Sequence, residues 1–253
     1  GILLWGPDSG SQACGDVGPG RMLDPLDLVE RCCQQLTAEP LLAGVKLLLT
    51  AGPTREALDP VRYISNHSSG KMGYAIARAA REAGAEVTLV SGPVALATPQ
   101  GIERVDVESA EQMHQAVMSR VHECDLFIGC AAVADYTPDA VSQTKLKKGE
   151  GEMHITLRRT RDIAAELGAA KGGRLLVGFA LETHDEQANA EAKLARKNFD
   201  FIVLNSLRDA GAGFRGDTNK VTFIDRSGRE ELPLMPKSEV AERIADKIES
   251  LLK

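Results

Sequence analysis

The chain of 253 residues has few aromatic side chains and no excess of positive charge. Phe, Tyr and Trp make up 4% of the sequence, and 30 Lys and Arg residues against 36 Asp and Glu residues give a formal net charge of −6. Broad binding to nucleic acid needs a basic surface, and single strands are usually held by stacking on aromatic rings. The composition therefore argues against a nucleic-acid-binding protein.

Long apolar runs and paired cysteines are also missing. No apolar run approaches the roughly 18 residues that a transmembrane helix requires, and no charged-then-apolar signal peptide opens the chain. The five cysteines are odd in number and lack the spacing of metal ligands, so a reducing compartment fits them best. We therefore expect a cytoplasmic protein without a membrane partner. Because the first residue is Gly1 rather than Met, we also expect a piece of a longer protein.

Short apolar segments alternate with helical patterns over most of the sequence. Strands are predicted at 45–50, 87–90, 102–107, 126–132, 175–180 and 201–204, helices at 71–84, 110–123, 162–170, 186–198 and 237–252, and hairpin arms at 153–158, 221–224 and 231–234. Continuous apolar strands that alternate with helices form a parallel sheet covered on both faces. The predicted fold class is α/β, a Rossmann-like, doubly wound and mostly parallel sheet with a small β-hairpin extension.

The first 44 residues differ from this pattern. Residues 1–22 are rich in glycine and turn-forming residues and are not expected to contribute to a core. Asp24 suits the position before a helix, and a proline follows it at the first helical position, so a helix is predicted over 25–36. Residues 37–44 have the composition of a linker.

Two common phosphate-binding motifs are absent. A nicotinamide-binding Rossmann domain carries G-x-G-x-x-G directly after its first strand, but the residues at that place, 51–55, include a single glycine. The P-loop motif fails as well, since Met72 follows Gly70 and Lys71 where a Ser or Thr should bind the metal. The Rossmann-like sheet itself suggests an NAD(P)-dependent reductase, which is the alternative interpretation, and the missing glycine motif counts against it. A non-catalytic subunit with the same fold is a further alternative.

A polar segment, residues 59–73, leads into the first long helix. Arg62 could hold a carboxylate or phosphate with its planar guanidinium, and Asn66 could stabilise a developing oxyanion. Residues 68–70 could bind a phosphate at the N terminus of the helix. A capped helix start after a solvated loop would explain the same residues.

Further candidates follow the later strands. Small residues at 130–134 would let a flat base lie close to the backbone, and Asp135 could hold a divalent cation over phosphates or cap a turn. The basic run 145–148 could neutralise a triphosphate or be a solvated loop. Lys193 and Lys197 lie on one helix face, where exposed lysines are also common.

Five stretches occur in an order that is typical of one enzyme family. They are residues 51–56, 59–73, 129–136, 145–148 and 177–183. In sequence and order they resemble phosphopantothenoylcysteine synthetase, and the resemblance covers about residues 45–253. It implies a ligase that joins 4′-phosphopantothenate to L-cysteine in coenzyme A biosynthesis, using CTP, Mg²⁺ and an acyl-cytidylate intermediate. It also implies a homodimer with the active site at its interface.

The resemblance assigns roles to single residues. Asn66 matches the asparagine that handles the acyl-cytidylate, Arg62 a neighbouring substrate contact, and Lys145 a catalytic lysine on the nucleotide side. Asp135 matches a contact to the nucleotide and to the metal ion. The other expected CTP contacts are Gly129, Cys130, Ala131, Asp162, Ile163, Ala164, Phe179, Lys193 and Lys197.

One stretch departs from the family pattern, and another resembles it without an assigned role. At residues 160–162 the family often has Asn-Pro-Asp, where this chain has Thr-Arg-Asp. Residues 213–219 resemble a family loop near the nucleotide, and no role is assigned to Phe214, Asp217 or Asn219 in that loop.

The N-terminal residues have a resemblance of their own. Residues 12–22 resemble the substrate flap of the flavin-dependent phosphopantothenoylcysteine decarboxylase, and Cys14 matches the cysteine that protonates the product. Residues 1–40 are therefore expected to be the C-terminal remnant of that decarboxylase with a linker, ahead of the ligase domain at 45–253. FMN would bind only in the missing decarboxylase domain, so we expect no decarboxylation from this chain alone.

Overall fold

A computed structural model of the protein describes residues 4–11, 15–37, 40–182, 184–206 and 216–252. The chain divides into two compact units, Gly1–Pro40 and Leu41–Lys253. None of the helices within the described ranges is long and apolar enough to cross a membrane.

The first unit contains a hairpin and one helix. Strands β1 (Asp8–Ser11) and β2 (Val17–Arg21) pair antiparallel, and helix α1 covers Pro25–Thr37. The helix was predicted within one residue at each end. The hairpin was not predicted, because its mostly exposed strands carry glycine, serine and proline instead of an apolar alternation.

The second unit contains the other strands and helices. In chain order they are β3 (Lys46–Ala51), β4 (Arg55–Ala57), β5 (Tyr63–Ser65), α2 (Lys71–Glu82), β6 (Glu86–Ser91), β7 (Glu103–Asp106), α3 (Ala110–Met118), a 3-10 helix (Val121–Glu123), β8 (Leu126–Gly129), β9 (Tyr136–Pro138), β10 (Leu157–Arg159), α4 (Ile163–Ala169), β11 (Leu175–Glu182), α5 (Glu186–Arg196), β12 (Phe201–Ser206), β13 (Thr218–Asn219), β14 (Val221–Asp225), β15 (Gly228–Glu231), β16 (Met235–Pro236) and α6 (Lys237–Leu252). Eight of these strands form the main sheet, and the others form short two-stranded pairs.

The main sheet has the strand order β7-β6-β3-β8-β11-β12-β14-β15. The six strands from β7 to β12 are parallel, and the β14–β15 hairpin extends the sheet antiparallel. Numbered along the chain, the parallel strands follow the order 3-2-1-4-5-6 of doubly wound dinucleotide-binding folds. The predicted fold class is therefore confirmed. The order reverses between β3 and β8, and ligands of such sheets bind beyond the carboxyl ends of the strands at that point.

Apolar side chains fill both faces of the sheet. Leu47 and Leu49 of β3 belong to a core cluster with α2 and α6, whereas Leu48 belongs to the opposite cluster with α3, α4 and α5. Successive side chains of a strand point to opposite faces. A strand that is covered on both sides is therefore apolar at every position, which is the pattern that predicted β3.

Helix α3 and strand β8 end well before their predicted ends. Helix α3 begins with a capping box between Ser109 and Gln112 but ends at Met118 instead of 123, and residues 121–123 form a separate 3-10 helix. Strand β8 ends at Gly129 rather than at 132. The residues beyond it leave the sheet and enter the site described below.

Two of the three predicted hairpin arms were displaced, whereas the arm expected at 221–224 is β14. The arm expected at 153–158 is β10, which covers 157–159 and pairs with β9. The arm expected at 231–234 begins at Gly228, because the backbone and hydroxyl groups of Ser227 bond to Asp225 Oδ1 and close a tight turn. A tight turn shortens the loop, so the second arm starts three residues earlier in the sequence than predicted.

Candidate active site

Two cavities lie at the carboxyl ends of β3, β8 and β11. Their volumes are about 460 Å³ and about 330 Å³, and we call them the first and the second cavity. The residues that line both are Ala131, Val133, Asp135, Phe179 and Lys193. The cavities thus share a wall at the reversal point of the strand order, and ligands bound in them would lie side by side.

The segment after β8 forms much of the shared wall. The backbone N–H of Cys130 donates to the carbonyl oxygen of Thr50 (3.2 Å), and that of Ala132 donates to Gly52 (2.9 Å). These bonds hold the segment against the loop after β3. The side chains on it are small, as the sequence predicted, and leave room for a flat ligand. Burial raises the pKa of the Cys130 thiol to about 12, so this thiol is neutral near pH 7.

The first cavity collects most of the expected nucleotide contacts. The expected residues that line it are Gly129, Ala131, Asp135, Asp162, Ile163, Ala164, Phe179, Lys193 and Lys197, and Cys130 lines the second cavity. Residues separated by almost 70 positions are thus brought to one place. Their individual roles remain predictions.

Asp162 links two helices beside the first cavity. Its side chain accepts a hydrogen bond from the backbone N–H of Ala165 (3.0 Å) and so caps α4, and Lys197 Nζ lies 3.0 Å from its carboxylate. Burial raises the pKa of Asp162, but the bonds from Lys197 and Ala165 outweigh it and bring the pKa below its usual value. The carboxylate is therefore ionised near pH 7 and holds α5 against the start of α4.

Lys193 places a positive charge between the cavities. The half-buried side chain donates from Nζ to the carbonyl oxygen of Phe179 (2.6 Å). Burial and the nearby Lys197 ammonium lower the pKa of Lys193. A desolvated ammonium group on a shared wall is suited to bind an anion that reaches from one cavity into the other.

The second cavity lies at the start of α2. Asn66, Ser68 and Ser69 line it, and Asn66 Nδ2 donates to the carbonyl oxygen of Ala132 (3.1 Å). Gly70 precedes the helix with φ of 77°, a left-handed conformation that favours glycine. The predicted phosphate-binding residues 68–70 therefore lie where the free N–H groups of a helix begin.

Sequence reasoning missed Lys237, which lines the second cavity together with Asn205. Lys237 is buried and donates from Nζ to the carbonyl oxygen of Gly216 (2.6 Å). Burial and the nearby Lys71 ammonium lower the pKa of Lys237. Asn205 Oδ1 accepts a bond from Asn219 Nδ2 (2.9 Å) at the end of β12. Asn205 directly follows the strand predicted at 201–204, whereas no local pattern indicates that Lys237 approaches the start of α2.

Lys71 begins α2 and also lines the second cavity. Its Nζ atom lies 2.6 Å from Oδ1 of Asp217, and this contact lowers the pKa of Asp217. From the sequence alone Lys71 has no role beyond its part in the failed P-loop match. In the structure Lys71 is a second lysine of this cavity besides Lys237, and the two residues begin helices α2 and α6.

Two expected site residues lie outside both cavities. Arg62 donates from Nε to Asp59 (3.0 Å) and from Nη2 to the carbonyl oxygen of Leu146 (2.6 Å). Its guanidinium holds the pKa of Asp59 well below the usual range. Lys145 is exposed and lines neither cavity. Arg62 therefore ties the basic run 145–148 to the turn at residue 59.

Two further expectations concern Cys14 and the metal ligand. Cys14 lies outside the described residues. Asp135 is exposed on the shared wall, and the described parts of the chain contain no group of three His, Cys, Asp or Glu side chains that could hold a metal ion. A metal ion at Asp135 would need further ligands from a bound phosphate and from water.

Comparison with known proteins gives the family. Residues 42–252 match the model of the DNA/pantothenate metabolism flavoprotein C-terminal domain. The chain belongs to this family. The coenzyme A biosynthesis bifunctional protein CoaBC of Vibrio cholerae is 50% identical over 247 residues, which are 96% of this chain and 62% of that protein. The chain thus spans less than two thirds of the length of the first curated relatives that it matches.

Solved structures share this fold. A crystal structure of the C-terminal domain of CoaBC is 46% identical, with a TM-score of 0.73, and the match covers 84% of this chain and 98% of that one. A Cab2 mutant in complex with phosphopantothenate-cysteine matches with a TM-score of 0.68 over 89% of this chain and 92% of that one. At 16% identity, this second likeness shows the fold alone.

Proposed function

We propose that residues 42–252 form a ligase that joins 4′-phosphopantothenate to L-cysteine in coenzyme A biosynthesis, with CTP as the activating nucleotide. The observation that carries this proposal is the pair of cavities that share Asp135, Phe179 and Lys193. They provide neighbouring sites for a nucleotide and for a second anionic substrate. The 50% identity to a coenzyme A biosynthesis protein over 96% of the chain supports the same reaction.

The proposed reaction has two steps. A carboxylate oxygen of 4′-phosphopantothenate attacks the α-phosphorus of CTP, the bond to the bridging oxygen breaks, and pyrophosphate leaves. The amine of cysteine then attacks the acyl carbon and loses a proton, and CMP leaves with the electrons of the C–O bond. A free carboxylate is a poor acyl donor, so the cytidylate supplies the leaving group. Enzymes favour such steps by positioning the reactants and neutralising charge.

The described residues divide these tasks between the cavities. The small residues 129–131 would lie against the cytosine, while Lys197 and Lys193 hold the ribose-phosphate side. Because Lys193 lies on the shared wall, its ammonium would bind the α-phosphate, where the substrate carboxylate arrives. The amide of Asn66 would donate to the acyl-cytidylate from the second cavity.

Asp135 would hold Mg²⁺ together with oxygens of the nucleotide. Mg²⁺ commonly keeps several waters and is bound through one or two carboxylates plus substrate phosphates. A single exposed carboxylate on the shared wall fits such a site better than a site built from protein ligands alone. When bound, the ion would neutralise charge on the phosphates.

The positions of Arg62 and Lys145 support a homodimer. Both lie away from the two cavities, on segments that the bond from Arg62 to Leu146 holds together. We propose that these segments of one protomer complete the site of the other, with Lys145 acting on the nucleotide side. A chain that cannot dimerise would then bind nucleotide but turn over poorly.

The complete protein is proposed to have a second activity. Like the relatives described as bifunctional, it would carry a decarboxylase with FMN bound outside residues 42–252, and Cys14 would act in the flap of that enzyme. We propose that the protein works in the cytoplasm on small molecules, without nucleic acid or membrane as partners.

Pyrophosphate release tests the ligase proposal. The chain is incubated with 4′-phosphopantothenate, L-cysteine, Mg²⁺ and either CTP or ATP. Release that requires 4′-phosphopantothenate and strongly prefers CTP supports the proposal, and release with ATP alone overturns the choice of nucleotide. No release from a folded dimer would contradict the ligase function.

Calorimetric titration with NADPH tests the reductase alternative, for which we expect no binding because the glycine motif is absent.

A further inference from the structure

One wall of the first cavity is the turn at residues 160–162, and its residues are tied to different parts of the fold. Thr160 donates from Oγ1 to the carbonyl oxygen of Ala134 (2.6 Å), which follows β8. Asp162 is paired with α5, as described above. Arg161 lies between them and lines the cavity with a side chain that is 55% exposed. What holds Arg161 therefore shapes this wall.

Glu166 of α4 holds the guanidinium of Arg161. Nε donates to Oε1 (3.2 Å) and Nη2 donates to Oε2 (3.0 Å). A two-point contact of this kind fixes the orientation of the guanidinium as well as its position. It uses two of the five N–H donors of an arginine. The half-exposed group can present the others at the cavity wall.

The same carboxylate contacts a buried histidine on α3. His114 is 2% exposed, and its Nε2 lies 2.9 Å from Oε2 of Glu166. The contact with His114 is the largest of the effects that lower the pKa of Glu166. Because an ionised carboxylate can only accept a hydrogen bond, Nε2 is the donor.

The other ring nitrogen makes histidine an unfavourable choice for packing alone. Nδ1 of His114 is buried and has no hydrogen-bond partner among the described residues. A buried polar atom without a partner destabilises a fold. Met113 and Val117 on the same helix belong to an apolar core with Leu167 of α4, where a leucine or phenylalanine would pack without this penalty. What a histidine provides at this position, and a leucine or phenylalanine does not, is the hydrogen bond to Glu166.

We infer that Arg161 binds the nucleotide in the first cavity, and that Glu166 and His114 are positioning residues that hold its guanidinium for this contact. The inference rests on the proposed function, which places the nucleotide in that cavity. Glu166 offsets the charge of Arg161. The guanidinium therefore acts as an oriented donor to neutral acceptors on the base or ribose, more than as a counter-ion for the outer phosphates.

Calorimetric titration with CMP and CTP tests the role of Arg161. The variants are Arg161→Ala, Glu166→Gln and His114→Phe, and each is expected to weaken binding by about fivefold to tenfold, the effect of one oriented hydrogen bond. The loss should be equal for CMP and CTP, since the outer phosphates are not involved. In turnover assays KM for CTP should rise by the same factor, with kcat within about twofold.

A conservative variant separates positioning from packing. In His114→Gln the side-chain amide can replace the Nε2 donor, so we expect affinity within about twofold of the unmodified chain. His122→Gln is the matched control, because His122 is an exposed histidine in the 3-10 helix, outside both cavities. Amide hydrogen exchange over residues 160–166 gives a readout without ligand. It should be faster in His114→Phe and Glu166→Gln and unchanged in His114→Gln.

Several outcomes would overturn the inference. Normal affinity for CMP in Arg161→Ala would remove the contact to the nucleotide. A folded His114→Phe variant with unchanged affinity and unchanged exchange would remove the positioning role. If the unmodified chain binds neither CMP nor CTP, the proposed function fails together with this inference. Normal binding by the unmodified chain and by Arg161→Ala alike would overturn the inference alone.

Discussion

The side-chain amide nitrogen of Asn66 lies 3.1 Å from the carbonyl oxygen of Ala132. This bond joins the loop before α2 to the segment after β8. It holds the amide at the lining of the second cavity, close to the wall that both cavities share. An amide can donate to an anionic intermediate without adding a charge of its own.

Replacing this amide with a carboxylate should affect the second step of the proposed reaction. In Asn66→Asp the donor is lost, and an anionic group faces both the Ala132 carbonyl and the acyl-cytidylate. We expect pyrophosphate release to continue while the yield of the amide product falls by about tenfold to a hundredfold. This expected fall is somewhat smaller than the typical loss of rate when a donor is removed from an oxyanion hole. Separate assays of pyrophosphate and of the cysteine adduct measure the two steps. His67→Gln, at the exposed neighbouring position, is the control. A normal amide yield in Asn66→Asp would contradict the assigned role.

Lys237 should be more important for binding than for stability. Burial lowers the pKa of this lysine, so its protonated form is disfavoured in the folded state relative to the unfolded state. A base with a lowered folded pKa contributes a penalty at neutral pH, which diminishes as the pH rises toward the unfolded value. We expect Lys237→Met to melt at or above the temperature of the unmodified chain at pH 7.

The same variant should bind anionic substrate more weakly. Loss of the ammonium group should raise KM for 4′-phosphopantothenate by about tenfold, as for a lost charged hydrogen bond. Lys247→Met is a matched control on α6, because Lys247 pairs with Asp225 (2.6 Å) outside both cavities. The control should lose a little stability and keep its KM. A large drop in melting temperature with unchanged KM in Lys237→Met would assign the lysine a structural role instead.

The parallel strands were predicted well because burial on both faces leaves a simple pattern. Strand β3 was expected at 45–50 and covers Lys46–Ala51. The pair β4–β5 was missed, since its strands have three residues each and are largely polar. The Arg55 guanidinium lies 4.6 Å from the centre of the Tyr63 ring within this pair. Contacts between side chains on separate strands have no periodic signature in the sequence.

The site was predicted where its residues follow strand ends or share a motif. The reversal of strand order at β3 and β8 brings such segments together in any doubly wound sheet, so Asp135 could be expected at this edge. Lys193 lies within helix α5, and only the family resemblance indicated it. Lys237 could not be expected there, because it lines the cavity only where α6 packs beside α2. His114 is similar, since its bond to Glu166 spans 52 positions in the sequence. Packing between helices decides both contacts, and hydrophobic periodicity does not specify which polar residues meet.

The pair of Asp162 and Lys197 predicts a pH-dependent contribution to stability. The pKa of Asp162 lies below its usual value of 3.8. A carboxyl with a lowered folded pKa stabilises the fold above the unfolded value, and the contribution is lost as the pH falls through the folded pKa. Asparagine caps a helix as well as aspartate, so Asp162→Asn removes mainly the ion pair.

This contribution should be small because the carboxylate is about half exposed. We expect Asp162→Asn to lower the free energy of unfolding by about 0.5 kcal/mol at pH 7 after solvent screening. Urea titrations at pH 7 and at successively lower pH measure it, and the two chains should converge once the pH has fallen below the folded pKa of Asp162. A difference that persists in acid would assign the effect to the helix cap. KM for CTP should rise modestly, since Lys197 loses its partner at the cavity.

Gly73 should be required for the close approach of α2 to the end of β3. A Cβ atom at this position would lie 2.5 Å from the Cβ of Ala51 and 3.3 Å from its Cα. Both groups belong to packed backbone elements, so neither can move aside without shifting the helix. We expect Gly73→Ala to lower the free energy of unfolding by about 1–3 kcal/mol, as for other overpacked cores.

The shift should also reach the site, because α2 begins at the second cavity. We therefore expect weaker binding of anionic substrate in Gly73→Ala, in proportion to the displacement of residues 68–70. Gly149→Ala is the matched control: a Cβ there meets nothing within 4 Å, so the change in stability should stay within about 0.5 kcal/mol. Urea unfolding of both variants measures the difference. Equal stabilities would mean that α2 can slide along β3 without cost, and the geometry of the second cavity would then not depend on this contact.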